Sequence, residues 1–372
     1  MQRKKVVHIT IVHKRYDVRI FRKECISLSK AGYDVSLIVA DGLGDEENSG
    51  VKIIDIGRAE TNRLKRMIKT SRKAVKAAAR LEADIYHFHD PDLLIEAIKL
   101  RKKGRVVFDS HEDLPALMLE REYIPNAFRK LLYNLAEKIE EFAVKTYLKG
   151  VVTVSDYITD KFKVYGAKAV VSVKNFPLTN GAVNVASYSP NTETICYTGG
   201  LTRIRAIKEM VIACSRAGVR LIAAGEFDDS EYENEVISLP EWKTVEYLGF
   251  LPSTDLREKV LSKASAGIIL FINVPNHVNA IPTKVFEYMQ AGLPVIASRE
   301  VLFCKQVTQE EHCGLVVDPL DIDEVAEAIR KITNNPDLAK QMSANAVKAA
   351  ADKYNWSSQE KVLLGFYERL LA

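Results

Sequence analysis

Lys284 and Glu287 stand three residues apart in the stretch 279–294, which reads Asn-Ala-Ile-Pro-Thr-Lys-Val-Phe-Glu-Tyr-Met-Gln-Ala-Gly-Leu-Pro. At the start of a helix, the free first-turn amides face an anion, and an acid one turn in accepts hydrogen bonds from ribose hydroxyls. Thr283 adds an N–H and a hydroxyl there, whereas Pro282 removes one amide. A second anion-binding pattern is the turn 198–206, Thr-Gly-Gly-Leu-Thr-Arg-Ile-Arg-Ala. Gly199 and Gly200 let backbone approach a phosphate, and Arg203 and Arg205 follow as charged donors. A third group combines imidazoles and carboxylates: His87, His89 and Asp90, then Asp109, His111 and Glu112. These are metal-ligand types. Some of the histidines read instead as satisfied core residues, His87 above all. The basic turn His13-Lys14-Arg15-Tyr16-Asp17, with Arg19 behind it, suits an anion, or is a solvated loop at Lys14 and Arg15.

Alternating strands and helices position these groups. The apolar run 266–272 reads as a buried strand, 283–291 as a helix stopped by Gly292 and Pro294, and 295–298 as a further strand. That βαβ unit puts its ligand crevice at the carboxyl ends of the strands. Earlier, 6–12 is a strand, 18–31 a helix ending at Gly32, and 34–39 a strand. The intervening turn carries no Gly-x-Gly-x-x-Gly, which argues against a dinucleotide site. Strands over 85–89 and 106–110 end in the histidine and acid groups, and alternation sets His87 and His89 on one side. A helix over 127–149, a strand over 151–154 with Ser155 and Asp156 behind it, and a strand over 170–173 follow. Asn175-Phe176-Pro177 closes this half, and the polar segment 179–191 is the best linker. The second half has strands at 194–197, 221–226 (ending in Glu226), 245–251 (ending in Leu251) and 313–319, then helices over 321–333 and 357–370. The loop 273–277 is a candidate mobile segment.

A chain of 372 residues fits two domains. Hydrophobic residues at 47% and charged residues at 27% are globular values, which excludes a disordered class. The five cysteines form no Cys-x-x-Cys pair and read as reduced thiols. No apolar run reaches the roughly 18–20 residues of a membrane span, so a cytoplasmic protein is expected. The net charge of +4 divides unevenly: residues 1–180 carry +10 and the remainder −6. Residues 63–80 hold eight basic side chains and no acid, with Leu64, Ile68, Val75 and Leu81 roughly on one face. This segment is either a peripheral contact for the anionic inner membrane or the outer layer of an α/β domain. No nucleic-acid motif accompanies the basic half.

The 279–294 stretch resembles the nucleotide-sugar loop of retaining glycosyltransferases of the GT-B fold, family GT4, in its bacterial polysaccharide and O-antigen branch. That family carries two glutamates eight positions apart; this chain has Asn279 at the first position and Glu287 at the second. The resemblance implies an α/β fold of two Rossmann-like, doubly wound parallel-sheet domains facing a central cleft. Residues 1–178 form the acceptor side, completed by a C-terminal helix of about 355–372, and 190–354 bind the donor. It implies donor contacts from Gly199, Gly200, Arg203, Arg205, Glu226, Leu251, Asn279, Ala280, Ile281, Thr283, Lys284 and Glu287. Gly200 stands where the family has a diphosphate-clamping arginine, and Arg205 where it has a lysine, so Arg203 is expected to restore the lost charge. His13, Arg19, His89 and His111 fall on the acceptor side. The catalytic set is His89, Arg205, Lys284 and Asn279. No metal and no cofactor are expected, because GT-B enzymes resembling this pattern use their histidines to orient sugars.

The function so implied is a hexosyl transfer from a nucleotide-sugar, with a UDP-sugar favoured over GDP-mannose. The acceptor is a lipid-linked or growing cell-surface polysaccharide such as lipopolysaccharide, at the cytoplasmic face of the inner membrane. Three other classes stay open, a sugar-nucleotide epimerase of the same architecture, a non-catalytic nucleotide-binding partner subunit and a nucleic-acid-binding protein that exploits the basic half, although no nucleic-acid partner is expected.

Overall fold

Short apolar strands alternating with helices carry the chain through two sheets, in a computed structural model that describes residues 3–120, 125–178, 193–274 and 278–372. The expected linker at 179–191 lies outside the described residues, as do residues 275–277 of the expected mobile loop. The chain divides into two compact units, Met1–Asn175 with Gln359–Ala372, and Phe176–Ser358.

The first unit contains β1 (Lys5–Ile9), β2 (Asp34–Val39), β3 (Glu46–Asn48), β4 (Val51–Asp55), β5 (Ile85–Phe88), β6 (Arg105–Ser110), β7 (Leu148–Thr153) and β8 (Val170–Ser172). Their order is β3-β4-β2-β1-β5-β6-β7-β8, parallel except for the β3–β4 pair. From β1 the chain winds one way and from β5 the other, so the topological switch point lies between these two strands. Their register sets His8 against His87. The second unit contains β9 (Thr194–Thr198), β10 (Arg220–Ala224), β11 (Val245–Tyr247), β12 (Ala266–Ile269), β13 (Val295–Ser298) and β14 (Gly314–Val317), in the order β11-β10-β9-β12-β13-β14. Its switch point lies between β9 and β12. Helix-covered parallel strands are buried on both faces, which is why they read as apolar runs rather than alternating ones.

Local chemistry explains the departures from the expected elements. The helix expected over 18–31 opens with a widened turn: Asp17 caps the N–H groups of Arg19 and Ile20, and its carbonyl accepts from Arg22 five residues on. This widened segment, Val18–Cys25, turns Arg19 and Glu24 inward together. Asn126–Thr146 stops earlier than expected because β7 starts at Leu148. The helix Pro336–Asp352, absent from the sequence reading, is marked by the Asn335 cap on the Leu338 N–H and by Pro336 in its first turn. Residues 63–80 are an outer layer. Ala74, Val75 and Ala78 are buried, Arg63 and Arg66 pair with Asp92, and Arg72 pairs with Glu96. Only Leu64 and Ile68 of that segment's large apolar residues are exposed. All five cysteines are buried free thiols.

Helix Thr283–Gln290 packs on β12 at Gly267, where a Cβ would lie 2.2 Å from the Tyr288 ring. The Tyr288 hydroxyl in turn accepts the Thr198 N–H at 2.9 Å, pinning the helix to the end of β9. Gly267→Ala should therefore cost about 1–3 kcal/mol through forced displacement of that ring. Urea denaturation would show it as a lower midpoint at unchanged slope. An unchanged midpoint would contradict this packing.

Candidate active site

In the second unit, three turns beyond the strand ends are bonded in series. Gly199 N–H meets the Ala224 carbonyl, Leu201 N–H the Glu226 carbonyl, and Gly225 N–H the Gly249 carbonyl, each at 2.8 Å. Arg205 folds back over the first turn. Its Nη1 donates to the Gly200 carbonyl at 3.0 Å and reaches the Tyr197 hydroxyl at 3.4 Å, with the guanidinium over the Phe271 ring. The Ile272 N–H donates to the Ile204 carbonyl at 3.0 Å, so the loop after β12 is tied to the arginine turn after β9. Ala206, at φ 47° and ψ 44°, makes this reversal in the left-handed region, a strain of about 1–2 kcal/mol. Arg205 Nε is buried and has no hydrogen-bond partner among the described residues. A buried donor left unmet costs roughly 1–3 kcal/mol, and an anionic oxygen would satisfy it.

Lys284 Nζ donates to Glu287 Oε2 at 2.9 Å and Thr283 Oγ1 to Oε1 at 3.3 Å, so this lysine and acid neutralise each other on one helix face. Asn279, Ala280 and Ile281 lead into that helix, half-buried. Leu251 is half-buried against an apolar cluster, and Glu226 points to solvent. Arg203 departs from the expectation. Its guanidinium pairs with Glu235 at 2.5 Å and lies over the Tyr232 ring, so Glu235 holds the charge expected at the phosphate.

In the first unit the switch point holds a buried polar cluster. His8 Nδ1 meets His89 Nε2 at 2.9 Å, and His89 Nδ1 meets His111 Nε2 at 3.2 Å. Tyr367 bonds His87 Nδ1 at 2.6 Å and His8 Nε2 at 3.3 Å. Asp109 lies 3.3 Å from His89 and 3.2 Å from His111, and accepts two bonds from Arg19 at 3.0 and 2.9 Å. Arg19 also contacts Glu24 at 3.2 Å and donates to the Val173 carbonyl at 2.8 Å. The expected basic turn is thus mostly neutralised. Arg19 is buried under Asp109, and Arg15, neither solvated nor open to an anion, pairs with Asp41 and Glu46. Lys14 stays exposed and His13 half-buried.

Burial sets the charge states. It lowers His8 and His87 well below the ordinary histidine value and brings His89 down to about 4, so all three are neutral imidazoles at pH 7. His13 is raised by its hydrogen bond to Asp17, with Asp90 adding to it against partial burial. Burial alone would raise Asp109, but Arg19, His111 and His89 outweigh it and hold that carboxyl well below the usual range. Glu24 goes the other way, raised by burial and by the Asp109 charge. Among the described residues two sets carry metal-ligand atoms within 4.8 Å of one another: His8, Glu24, His87 and His89, and His89, Asp109 and His111. Asp90 joins neither; it accepts from the Ile11 N–H at 2.5 Å and the Thr10 hydroxyl at 3.0 Å.

The model of glycosyl transferases group 1 matches residues 189–349, and that of glycosyltransferase family 4 matches residues 19–176. The chain belongs to the GT4-type glycosyltransferases of the GT-B fold. A sucrose-phosphate synthase from Thermosynechococcus elongatus shares this GT-B fold at a TM-score of 0.73 and 18% identity, over 99% of each chain. The Anabaena HepE protein, solved in complex with UDP-glucose, superposes at 0.68 with 14% identity over 98% of this chain and 99% of its own. By sequence, an MMP alpha-(1->4)-mannosyltransferase of Mycolicibacterium hassiacum is 23% identical over 27% of this chain. The chain spans between a quarter and under a half of the curated relatives it matches, from 24% to 44% of their length.

In this GT4-type chain, Thr283, Lys284 and Glu287 meet on one helix and His89 meets His111, as the sequence places them, while Arg205 lies in the turn after β9 of the same unit as that helix. The sequence reading missed His8, Glu24 and Tyr367. The inward spacing of Arg19 and Glu24 depends on the widened turn, and Tyr367 lies 280 residues from His87. His8 was legible in principle, since β1 and β5 are neighbours in most doubly wound sheets.

A carboxyl whose folded pKa lies above its unfolded value keeps its proton in the fold after the unfolded chain has released it. Stability then falls as pH rises from the unfolded value toward the folded one. Glu24→Gln removes that loss. It should be more stable than wild type near pH 8, with the advantage gone near pH 4, by urea denaturation across that range. A variant less stable at every pH would contradict a neutral Glu24.

Proposed function

We propose that this protein is a retaining glycosyltransferase that moves a sugar from a nucleotide-sugar, a UDP-sugar before GDP-mannose, onto a lipid-linked or growing cell-surface polysaccharide. The observation that carries the reading is the buried, unpartnered Arg205 Nε beside the β9/β12 switch point, where open α/β sheets take their ligands. In this reading the donor diphosphate accepts from Arg205 and Lys284, beside the Gly199–Gly200 backbone and the Thr283 N–H. Glu287 exchanges Lys284 for the ribose hydroxyls. The exchange is easy, because a half-exposed pair of this kind is worth about 0–1 kcal/mol. Asn279, Ala280 and Ile281 line the sugar, with Asn279 offering an uncharged hydrogen bond, and Glu226 and Leu251 flank the base.

The C1–oxygen bond to the diphosphate breaks as the acceptor oxygen bonds to C1 on the same face. The acceptor proton passes to the departing diphosphate oxygen, and the nucleoside diphosphate leaves. Preorganised cations stabilise the charge developing there. A double displacement needs two carboxylates about 5 Å apart, whereas the bonds that Glu287 makes among the described residues are to Lys284 and Thr283. His89, His111 and His13 serve the acceptor, with Arg19 acting through Asp109, and the chemistry runs without metal or cofactor. A second reading, a sugar-nucleotide epimerase, draws support from the dense histidine and carboxylate cluster at the other switch point. Inversion at the sugar C2 without glycan product would favour it.

A thermal-shift titration with UDP, GDP, ADP and NAD tests the reading. Selective stabilisation by one nucleoside diphosphate, lost in Glu287→Ala, is expected; no shift with any of them would overturn it. In steady-state assays Arg205→Ala should raise the donor KM at least about tenfold, the weight of one charged hydrogen bond. Arg203→Ala should change it less, since the Arg203 guanidinium is engaged by both Glu235 and the Tyr232 ring while Arg205 Nε has no hydrogen-bond partner among the described residues; the reverse order would contradict the assignment.

A further inference from the structure

Helix Asn126–Thr146 turns Ala136, Glu140, Ala143 and Val144 into the first unit. On its opposite side Phe128, Leu131, Leu135 and Phe142 are 50–61% exposed. Their spacing of three, four and seven residues keeps them on one stripe, about 21 Å long at 1.5 Å per residue. Beside the stripe, Ile95 is 59% exposed, and Leu94, Ile95, Ile98, Lys138, Ile139 and Phe142 line an open apolar hollow of about 290 Å³. Singly exposed apolar residues are ordinary, but a contiguous patch of this kind marks an interaction surface.

The charges around the stripe select the partner. Lys138 sits within it, between Leu135 and Phe142, and Lys145 borders it. The exposed tract Lys99, Arg101, Lys102 and Lys103 follows Ile95 and Ile98 directly; Lys99 is paired with Glu96 and Lys103 lies 3.9 Å from Glu82, while Arg101 and Lys102 have no carboxylate partner among the described residues. The neighbouring acids are largely engaged: Glu140 is buried on Lys161 and Glu141 is paired with Lys145. A second copy of the chain, packed by two-fold symmetry, would set Lys138 in the seam of an apolar helix pair and oppose like charges. A bilayer would not. Its acyl boundary takes the Phe and Leu side chains to a depth of about 5–10 Å, the lysine stem lies along apolar surface, and its ammonium reaches the headgroups. We propose that the stripe Phe128–Leu131–Leu135–Phe142, flanked by Lys138 and the 99–103 tract, is the surface on which this protein lies on an anionic membrane. Residues 63–79 do not share this design: Ser71–Ala79 turn Ala74, Val75 and Ala78 inward, and the exposed Leu64 and Ile68 make no longer stripe and stand beside Arg63 and Arg66, both paired with Asp92.

Sedimentation of the full chain with sucrose-loaded vesicles tests this, using phosphatidylcholine alone and phosphatidylcholine with phosphatidylglycerol. Wild type should pellet with the anionic vesicles. Leu131→Glu with Phe142→Glu should weaken that at least tenfold, at an unchanged melting temperature because both side chains are exposed. Arg101→Glu with Lys102→Glu should weaken it through charge alone, while Leu64→Glu with Ile68→Glu leaves it unaltered. Failure of wild type to bind, or binding by the Leu131 and Phe142 variant equal to wild type, would overturn the proposal. So would a wild-type dimer in sedimentation velocity that this variant dissolves, which would assign the stripe to a second copy.

Discussion

One guanidinium shared by two buried carboxyls sets the electrostatics of the first unit. Arg19, Asp109 and Glu24 are all removed from water, and a single cation cannot keep two adjacent carboxylates charged there. Asp109 takes the charge because Arg19 forks onto both its oxygens and two imidazoles lie against it. Glu24 is left with one contact to Arg19 and keeps its proton. The same buried carboxylate orders the histidines. With Asp109 accepting from His89 and His111, the remaining nitrogen of His89 accepts from His8, and Tyr367 completes the chain to His87. His13, at the rim beside Asp17, is raised toward a cation.

The two units share a switch-point topology and differ in which buried polar atoms they leave unmet. Each sheet reverses its winding between two strands, β1 and β5 or β9 and β12, and each gathers its polar side chains just beyond those strand ends. In the first, the clustered histidines, Tyr367, Arg19 and Asp109 bond one another, and the buried atoms of that cluster left without a hydrogen bond among the described residues are both Glu24 oxygens and His87 Nε2. In the second, the turn beyond β9 is satisfied by backbone while Arg205 keeps a buried donor unmet, and among the described residues Lys284 and Glu287 are bonded to each other, with Thr283 on Glu287. A rigid framework with unmet donors is what preorganised anion binding requires. The strained Ala206 and the absent Cβ at Gly267 are local costs of holding that arrangement.

Much of this was legible in the chain. The βαβ unit around Glu287 follows from an apolar run, a Gly-Pro stop and a second apolar run, and its helix and following strand fall where the spacing puts them. Fold class follows from the same alternation. The partners of individual charges were not legible, because they come from residues distant in sequence. Arg19 reads as a surface cation until the widened turn carries it inward onto Asp109, 90 residues away. Arg203 reads as a phosphate ligand until Glu235 claims it. The helix 126–146 was read as a helix, but which side faced water depended on the whole packed layer. Periodicity locates an apolar stripe without saying whether the fold covers it.

A structure of the protein bound to UDP tests the central claim most directly. The account predicts the diphosphate within hydrogen-bond distance of Arg205 Nε and Lys284 Nζ, with Glu287 released from Lys284 and holding the ribose. Nucleotide bound elsewhere, or bound at the β9/β12 ends with Arg205 Nε still unpartnered and the Lys284–Glu287 pair intact, would contradict it.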